Sequence, residues 1–328
     1  MESGAHSVYE QAKALWESAH PPRHYLSVND LAPQAAHAIL TLARAMKDAT
    51  RRGQEVFRFA RPVALALIFE KPSLRTRVAW EVGLHQMGAH GVYLTQSDIQ
   101  MGKREAVMDI ARNLSRWVQG IVARVFLHST LEELARFAEV PVINALSERE
   151  HPCQALADLM TIHEHKGEQP LTLAWVGDGN NVCHSFTLLA TLLGHHVRIA
   201  TPEGYEPHEA ILAQARAYAQ ASGGSVQLLR DPREAVADAD AVYTDVWVSM
   251  GYETEREVRM RHFLPYQVNE ALLRFAKPDA VVLHCLPARR GEEITDAVLD
   301  GNQSVVWDQA ENRLHTQKAL LALMLGTL

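Results

Sequence analysis

The chain has 328 residues, 47% apolar and 22% charged, enough for two ordinary globular domains with sizeable cores. Its net charge of −7 argues against nucleic acid and anionic membrane surfaces as partners, so an anion site must draw on local positive charge. No apolar run is long enough to span a bilayer, the first twenty residues lack a signal-peptide pattern, and Cys153, Cys183 and Cys285 are odd in number and widely spaced; these features point to a cytoplasmic protein with reduced thiols.

In chain order, a helix is predicted over 8–18 and another over 30–52, capped by Ser27 or Asp30. Val63 to Phe69 are all apolar without alternation, the pattern of a strand covered on both faces. The period then changes, and Trp80, Leu84 and Met87 share one helical face with Val78 and Val82 beside it. Strands at 91–95, 120–126 and 141–145 alternate with helices at 105–117, 130–138 and 152–166. The helix at 105–117 carries Met108, Ala111, Leu114 and Val118 on one side. Residues 166–170 break the alternation and set a boundary, giving domains 1–166 and 167–311. Beyond it, strands are predicted at 171–179, 196–201, 225–229, 240–246, 280–284 and 304–307. Helices fall at 181–193, 207–221 and 232–238, with a last one at 312–325. This alternation implies an α/β protein of two doubly wound parallel-sheet domains. Ligands in such sheets sit at the carboxyl ends of strands, which here predicts an interdomain active-site cleft. The clusters His163/His165 and His195/His196 stand among polar residues with no completed ligand set, so they read as solvated and no metal site is expected.

The chemistry concentrates where strand 63–69 turns into a helix. Ser73, Arg75, Thr76 and Arg77 surround that helix's N-terminus, where unpaired backbone N–H groups and the dipole favour an anion. Alone, such a start reads equally well as an N-cap with solvated arginines. It has company, however. KPSLRTR at 71–77, HPCQALADL at 151–159, GDGNN at 177–181, DVWVSMG at 245–251 and HCLP at 284–287 occur in this order. Together they resemble the aspartate/ornithine carbamoyltransferase family, and DVWVSMG with HCLP points to its ornithine-using branch. The resemblance runs from about residue 25 to the C-terminus.

That resemblance implies a transferase acting on carbamoyl phosphate and L-ornithine, with no cofactor and no metal, assembled as a homotrimer or a multiple of trimers. It joins 312–328 to the first domain. It assigns carbamoyl phosphate to Ser73, Leu74, Arg75, Thr76, Arg124, His151, Gln154, Cys285, Leu286 and Arg313, with Gln100 reaching a neighbouring subunit's site. Ornithine falls to Asn181, Asp245, Ser249 and Met250, and catalysis to Arg124, His151, Asp245 and Cys285. Leu74 and Cys153 stand where the family more often has Thr, and Arg77 ranks as structural. Other readings remain at this stage. GDGNN suggests a dinucleotide fingerprint, with Val182 in place of the third glycine and Glu203 as the acidic cue. Within the family, N-acetylornithine and putrescine compete as acceptors, and the pair Arg289–Arg290 is a feature of some acetylornithine enzymes.

Overall fold

The computed structural model describes residues 2–249, 251 and 253–326. The chain forms two compact units, Met1–Ala157 with Glu311–Leu328, and Asp158–Ala310; the division falls inside the helix Pro152–Lys166.

In the first unit, β1 (Val63–Phe69), β2 (Ala89–Thr95), β3 (Gly120–Arg124) and β4 (Val142–Leu146) form a parallel sheet in the order β2-β1-β3-β4. β3 is buried throughout and β1 almost so, which is why both are apolar up to the arginine that ends β3. Ile68, Ile121 and Val142 meet Ile110 and Leu131 in one core. The helix Leu74–Gln86 buries Trp80 and Leu84, with Met87 at its end. Val78 and Val82 on the same helix are exposed. The helix expected from residue 30 begins instead at Pro33, because Ser27 and Asp30 cap a short 3-10 turn, Val28–Asp30. The helix expected at 105–117 is shortened to Val107–Leu114 and buries Val107 and Ile110 ahead of Met108.

The second unit contains β5 (Thr172–Val176), β6 (His196–Ala200), β7 (Ser225–Leu229), β8 (Ala241–Thr244) and β9 (Val281–His284), all parallel, in the order β7-β6-β5-β8-β9. The strand expected at 304–307 does not form. Ser304 makes only a single bridge to Val282, and the helix Val306–Leu325 starts at once. The short apolar run Val305–Trp307 carried no periodicity to separate strand from helix. The histidine clusters are not uniformly solvated either. His163 and His195 are buried and share a 2.8 Å contact between their Nε2 atoms, whereas His165 pairs with Asp308 and His196 with Ser225.

Each sheet reverses its winding once, between β1 and β3 and between β5 and β8. Those are the points where flanking loops part and leave a crevice at the strand ends. KPSLRTR follows β1, Arg124 ends β3, GDGNN follows β5 and DVWVSMG follows β8. Among the described residues, no helix is long and apolar enough to cross a membrane.

Gly179 explains the glycine spacing of GDGNN. A Cβ there would lie 2.2 Å from the Pro207 nitrogen and 2.5 Å from the Glu206 carbonyl carbon, and its N–H donates to the Tyr205 carbonyl at 2.9 Å. The glycine admits the protein's own backbone, where a dinucleotide fingerprint would need the room for a pyrophosphate. Gly179→Ala should therefore destabilise the protein by about 1–3 kcal/mol through overpacking, read as a lower urea midpoint; an unchanged midpoint would contradict the steric account.

Candidate active site

In the first unit the residues expected to hold an anion follow the ends of adjacent strands. Ser73 is extended and its Oγ accepts from the Thr76 N–H at 3.2 Å, so it caps the helix Leu74–Gln86. Leu74 points to solvent and Arg75 is half-buried. Thr76 is fully buried, and its Oγ1 accepts from Arg313 Nη2 at 2.9 Å. Arg77 is committed elsewhere, bonded to Glu81 at 3.1 Å and lying 3.7 Å over the Tyr93 ring. Glu70 ties the ends of β1 and β3 together. Its N–H donates to the Arg124 carbonyl at 2.9 Å, and its carboxylate accepts from the Phe126 N–H at 2.7 Å.

Arg124, His151, Gln154 and Arg313 are all buried. His151 follows Glu150, whose carboxylate accepts from the Val28 N–H at 3.0 Å and from the Ser27 hydroxyl. That anchor fixes the segment just before Pro152 opens the next helix, the first-turn position proline favours. Burial holds the His151 imidazole well below its usual pKa, and the Arg313 and Arg124 guanidiniums push the same way. The ring is therefore neutral at physiological pH and can donate a hydrogen bond without bringing a charge. Cys153 donates to the Asn144 carbonyl at 3.4 Å, and burial raises its thiol to about 12; it is a packing residue. Arg313 lies well inside the helix Val306–Leu325, whereas the sequence suggested that it opens the helix. Gln100 differs from this buried group: it is exposed, with φ 47°, at the end of the short helix Gln96–Ile99.

In the second unit, Asp245 follows β8 and is held on both oxygens. Asn180 donates to Oδ2 at 2.8 Å, and the Cys285 thiol to Oδ1 at 3.1 Å. Asn180 also caps the helix Asn181–Leu192, accepting from the Val182 and Cys183 N–H groups at 3.0 and 3.1 Å. Asn181 is the first residue of that helix, and both Asn181 and Ser249 are half-buried. Met250 lies outside the described residues.

The turn after β9 is set by a buried pair that the sequence reading did not single out. The Leu286 N–H donates to His284 Nδ1 at 2.9 Å, so the proton sits on Nε2, which donates to Glu293 at 2.8 Å. Glu293 also accepts from the Arg289 N–H at 2.6 Å. Leu286 is thereby kept in the left-handed region, φ 59°, a strained conformation for a residue with a branched side chain. Asp245, His284 and Cys285 bring metal-ligand atoms within 4.8 Å of one another, but both His284 nitrogens are engaged, leaving the ring no lone pair for an ion. Arg290 forks onto Asp296 and Asp300 at 2.6 Å each, which commits it to its own loop. Of the residues overlooked, Asn180 was legible as the N-cap before an apolar helix. Glu293 carried no local signal.

The chain matches two family models: the aspartate/ornithine carbamoyltransferase carbamoyl-P binding domain over residues 23–164, and the Asp/Orn binding domain of the same family over 169–324. It is 52% identical over 305 residues to the ornithine carbamoyltransferase of Thermococcus kodakarensis, covering 93% of this chain and 96% of that protein. The protein of Pyrococcus furiosus described as "Ornithine carbamoyltransferase, anabolic" is 52% identical with the same coverage of each. The solved ornithine carbamoyltransferase structure from Pyrococcus furiosus superimposes with a TM-score of 0.91 at 50% identity, covering 94% of this chain and 99% of that one.

The neutrality of His151 has a measurable consequence. Its pKa is lowered in the folded protein, so below about 6.5 the unfolded chain takes up a proton that the folded chain refuses, and stability falls as the pH is lowered. Imidazole NMR should find His151 neutral at pH 6, and His151→Asn should flatten the acid-side loss of stability. A half-protonated ring near pH 6.5 would contradict the assigned electrostatics.

Proposed function

The chain belongs to the aspartate/ornithine carbamoyltransferase family, and we propose from that premise that it transfers the carbamoyl group of carbamoyl phosphate to the side-chain amine of L-ornithine, giving L-citrulline and phosphate. The acceptor choice rests on one observation above all: Asp245, a buried carboxylate aligned by Asn180 and Cys285. A buried carboxylate demands a cation, and the α-ammonium of a free amino acid supplies it. Asn181, Ser249 and Met250 complete that clamp. Arg290, which the paired arginines had left open as an acetylornithine determinant, is held by Asp296 and Asp300.

In the first unit, Ser73, Leu74 through its N–H, Arg75 and Thr76 take the phosphate at the helix N-terminus. Arg124, His151 and Arg313 take the carbamoyl oxygen, and Gln154 accepts from the carbamoyl NH2. Carbamoyl phosphate binds first, and ornithine follows. The ornithine side-chain ammonium, with a solution pKa like that of lysine at about 10.4, gives up a proton. The neutral amine attacks the carbonyl carbon beside Cys285 and the Leu286 carbonyl, Arg124, His151 and Thr76 stabilise the tetrahedral oxyanion, and the carbon–oxygen bond to phosphate breaks. The anabolic designation of the Pyrococcus furiosus relative supports the direction towards citrulline and so towards arginine formation.

The working assembly is a trimer. Leu74, Val78 and Val82, spaced four residues apart on one helix, are 72%, 46% and 39% exposed, an apolar stripe that a second copy covers. The enzyme works in the cytoplasm, where Cys153, Cys183 and Cys285 stay reduced; recovery of the chain from the secreted fraction would contradict that assignment.

The catalytic efficiency with L-ornithine should exceed that with N-acetylornithine or putrescine by at least about a hundredfold, and Asp245→Ala should erase most of that margin; equal use of N-acetylornithine in a citrulline-type assay would contradict the clamp. Arg75→Ala removes two charge-assisted hydrogen bonds of about 1.5–3 kcal/mol each, so activity should fall by roughly a hundredfold or more. Mixing that variant with Gln100→Ala in verified trimers should restore part of the activity, since some sites then receive both native residues; no recovery would count against a shared site.

A further inference from the structure

The second unit has a residue that connects the segments carrying the groups assigned to the amino-acid substrate. Arg259 lies on the helix Arg256–Phe263 and is only 7% exposed. Its Nη1 donates to Asp178 at 2.9 Å and to the Trp247 carbonyl at 3.1 Å, and its Nε donates to Glu255 at 2.9 Å. Its guanidinium lies 5.0 Å over the Tyr205 ring.

Those partners hold distinct places in the chain. Asp178 sits in the turn after β5, three residues before Asn181. Trp247 lies midway between Asp245 and Ser249, and its ring stacks on Phe263. Glu255 stands at the far end of the same loop, immediately before the helix. One planar, multidentate cation thus fastens the start and the end of the Ser249 loop to the turn that presents Asn180 and Asn181. Lysine can reproduce this only in part, because a single ammonium does not fork over separated acceptors in a fixed plane. The burial of Asp178 adds weight. Its carboxyl is raised to about 6 by burial, even with Arg259 beside it pulling the other way. Buried ion pairs are often matched in stability by well-packed hydrophobic residues, so stability alone gives little reason for this one.

We propose that Arg259 is a positioning residue for the amino-acid acceptor: by tying Asp178 to Trp247 and Glu255, it sets the spacing between Asn181 and the Ser249 loop on which recognition of the α-carboxylate and α-ammonium depends. The proposal rests on the ornithine reading of this half of the site. It requires no contact between Arg259 and substrate, and it predicts a defect confined to one of the two substrates.

The test uses the full-length protein with Arg259→Met, Arg259→Lys, Asp178→Asn and the double variant Arg259→Met/Asp178→Asn. KM for L-ornithine and for carbamoyl phosphate, kcat and the melting temperature are measured for each. Arg259→Met should raise KM for ornithine by about thirtyfold or more and leave KM for carbamoyl phosphate within about twofold; Arg259→Lys should recover part of the loss. The double variant discriminates positioning from mere stability. Removing the orphaned carboxylate should restore the melting temperature towards that of the unaltered protein, while KM for ornithine stays high because the tie is still absent. The proposal is overturned if folded Arg259→Met keeps a native ornithine KM, if both KM values rise together, or if ornithine KM recovers along with the melting temperature in the double variant. Failure of the unaltered protein to use ornithine would instead overturn the acceptor assignment, so the two failures are distinguishable.

Discussion

The first unit is organised around positive charge held out of water. Arg124 ends a buried strand and Arg313 lies among buried residues of its helix; burial first, and then both guanidiniums, hold the pKa of His151 down. Two guanidiniums near a neutral imidazole are what the proposed binding of an anionic substrate here draws on. In a medium of low effective dielectric that attraction is much larger than it would be at a surface. The same environment keeps His151 neutral, the form that the proposed role as a hydrogen-bond donor to the carbamoyl oxygen requires. The overall net charge of −7 makes the local concentration of cations more telling.

The second unit solves the complementary problem with a fixed carboxylate. Asp245 would be free to rotate on its own, but Asn180 and Cys285 occupy one oxygen each. Cys285 is placed by its own turn, and that turn is propped by the His284–Glu293 pair beneath it. The Asp245 carboxylate is thus held from both sides, and the turn that brings Cys285 to it is itself braced from below, the kind of support that keeps a side chain's geometry fixed. His284 is a strut in this arrangement, with Nδ1 accepting and Nε2 donating inside the protein.

Much of this was legible in the sequence because the signals were local. The uninterrupted apolar run at 63–69 marked a central parallel strand, and the strand–helix alternation around it pointed to doubly wound parallel sheets. The five motifs stood at strand ends, where the topology opens crevices. What the sequence concealed were relations between distant positions. Val305–Trp307 looks like a strand until its neighbours are known. His163 and His195 look solvated because each sits in a polar stretch, yet they bury against each other across 32 residues. Arg259 and Asp178 are 81 residues apart, and Glu293 is an unremarkable acid in a loop until His284 is seen beside it. Pattern reports the face of an element; it does not report which buried polar groups satisfy one another.

The most direct test of the central claim follows the carbamoyl carbon itself. Protein, carbamoyl phosphate labelled with 13C at the carbonyl, and L-ornithine are combined and observed by 13C and 31P NMR. The account predicts that the label moves into a ureido carbon of citrulline in step with the appearance of inorganic phosphate, one for one, and that neither signal changes appreciably faster than the uncatalysed background when ornithine is withheld. Rapid phosphate release without ureido product, or turnover indifferent to ornithine, would contradict it.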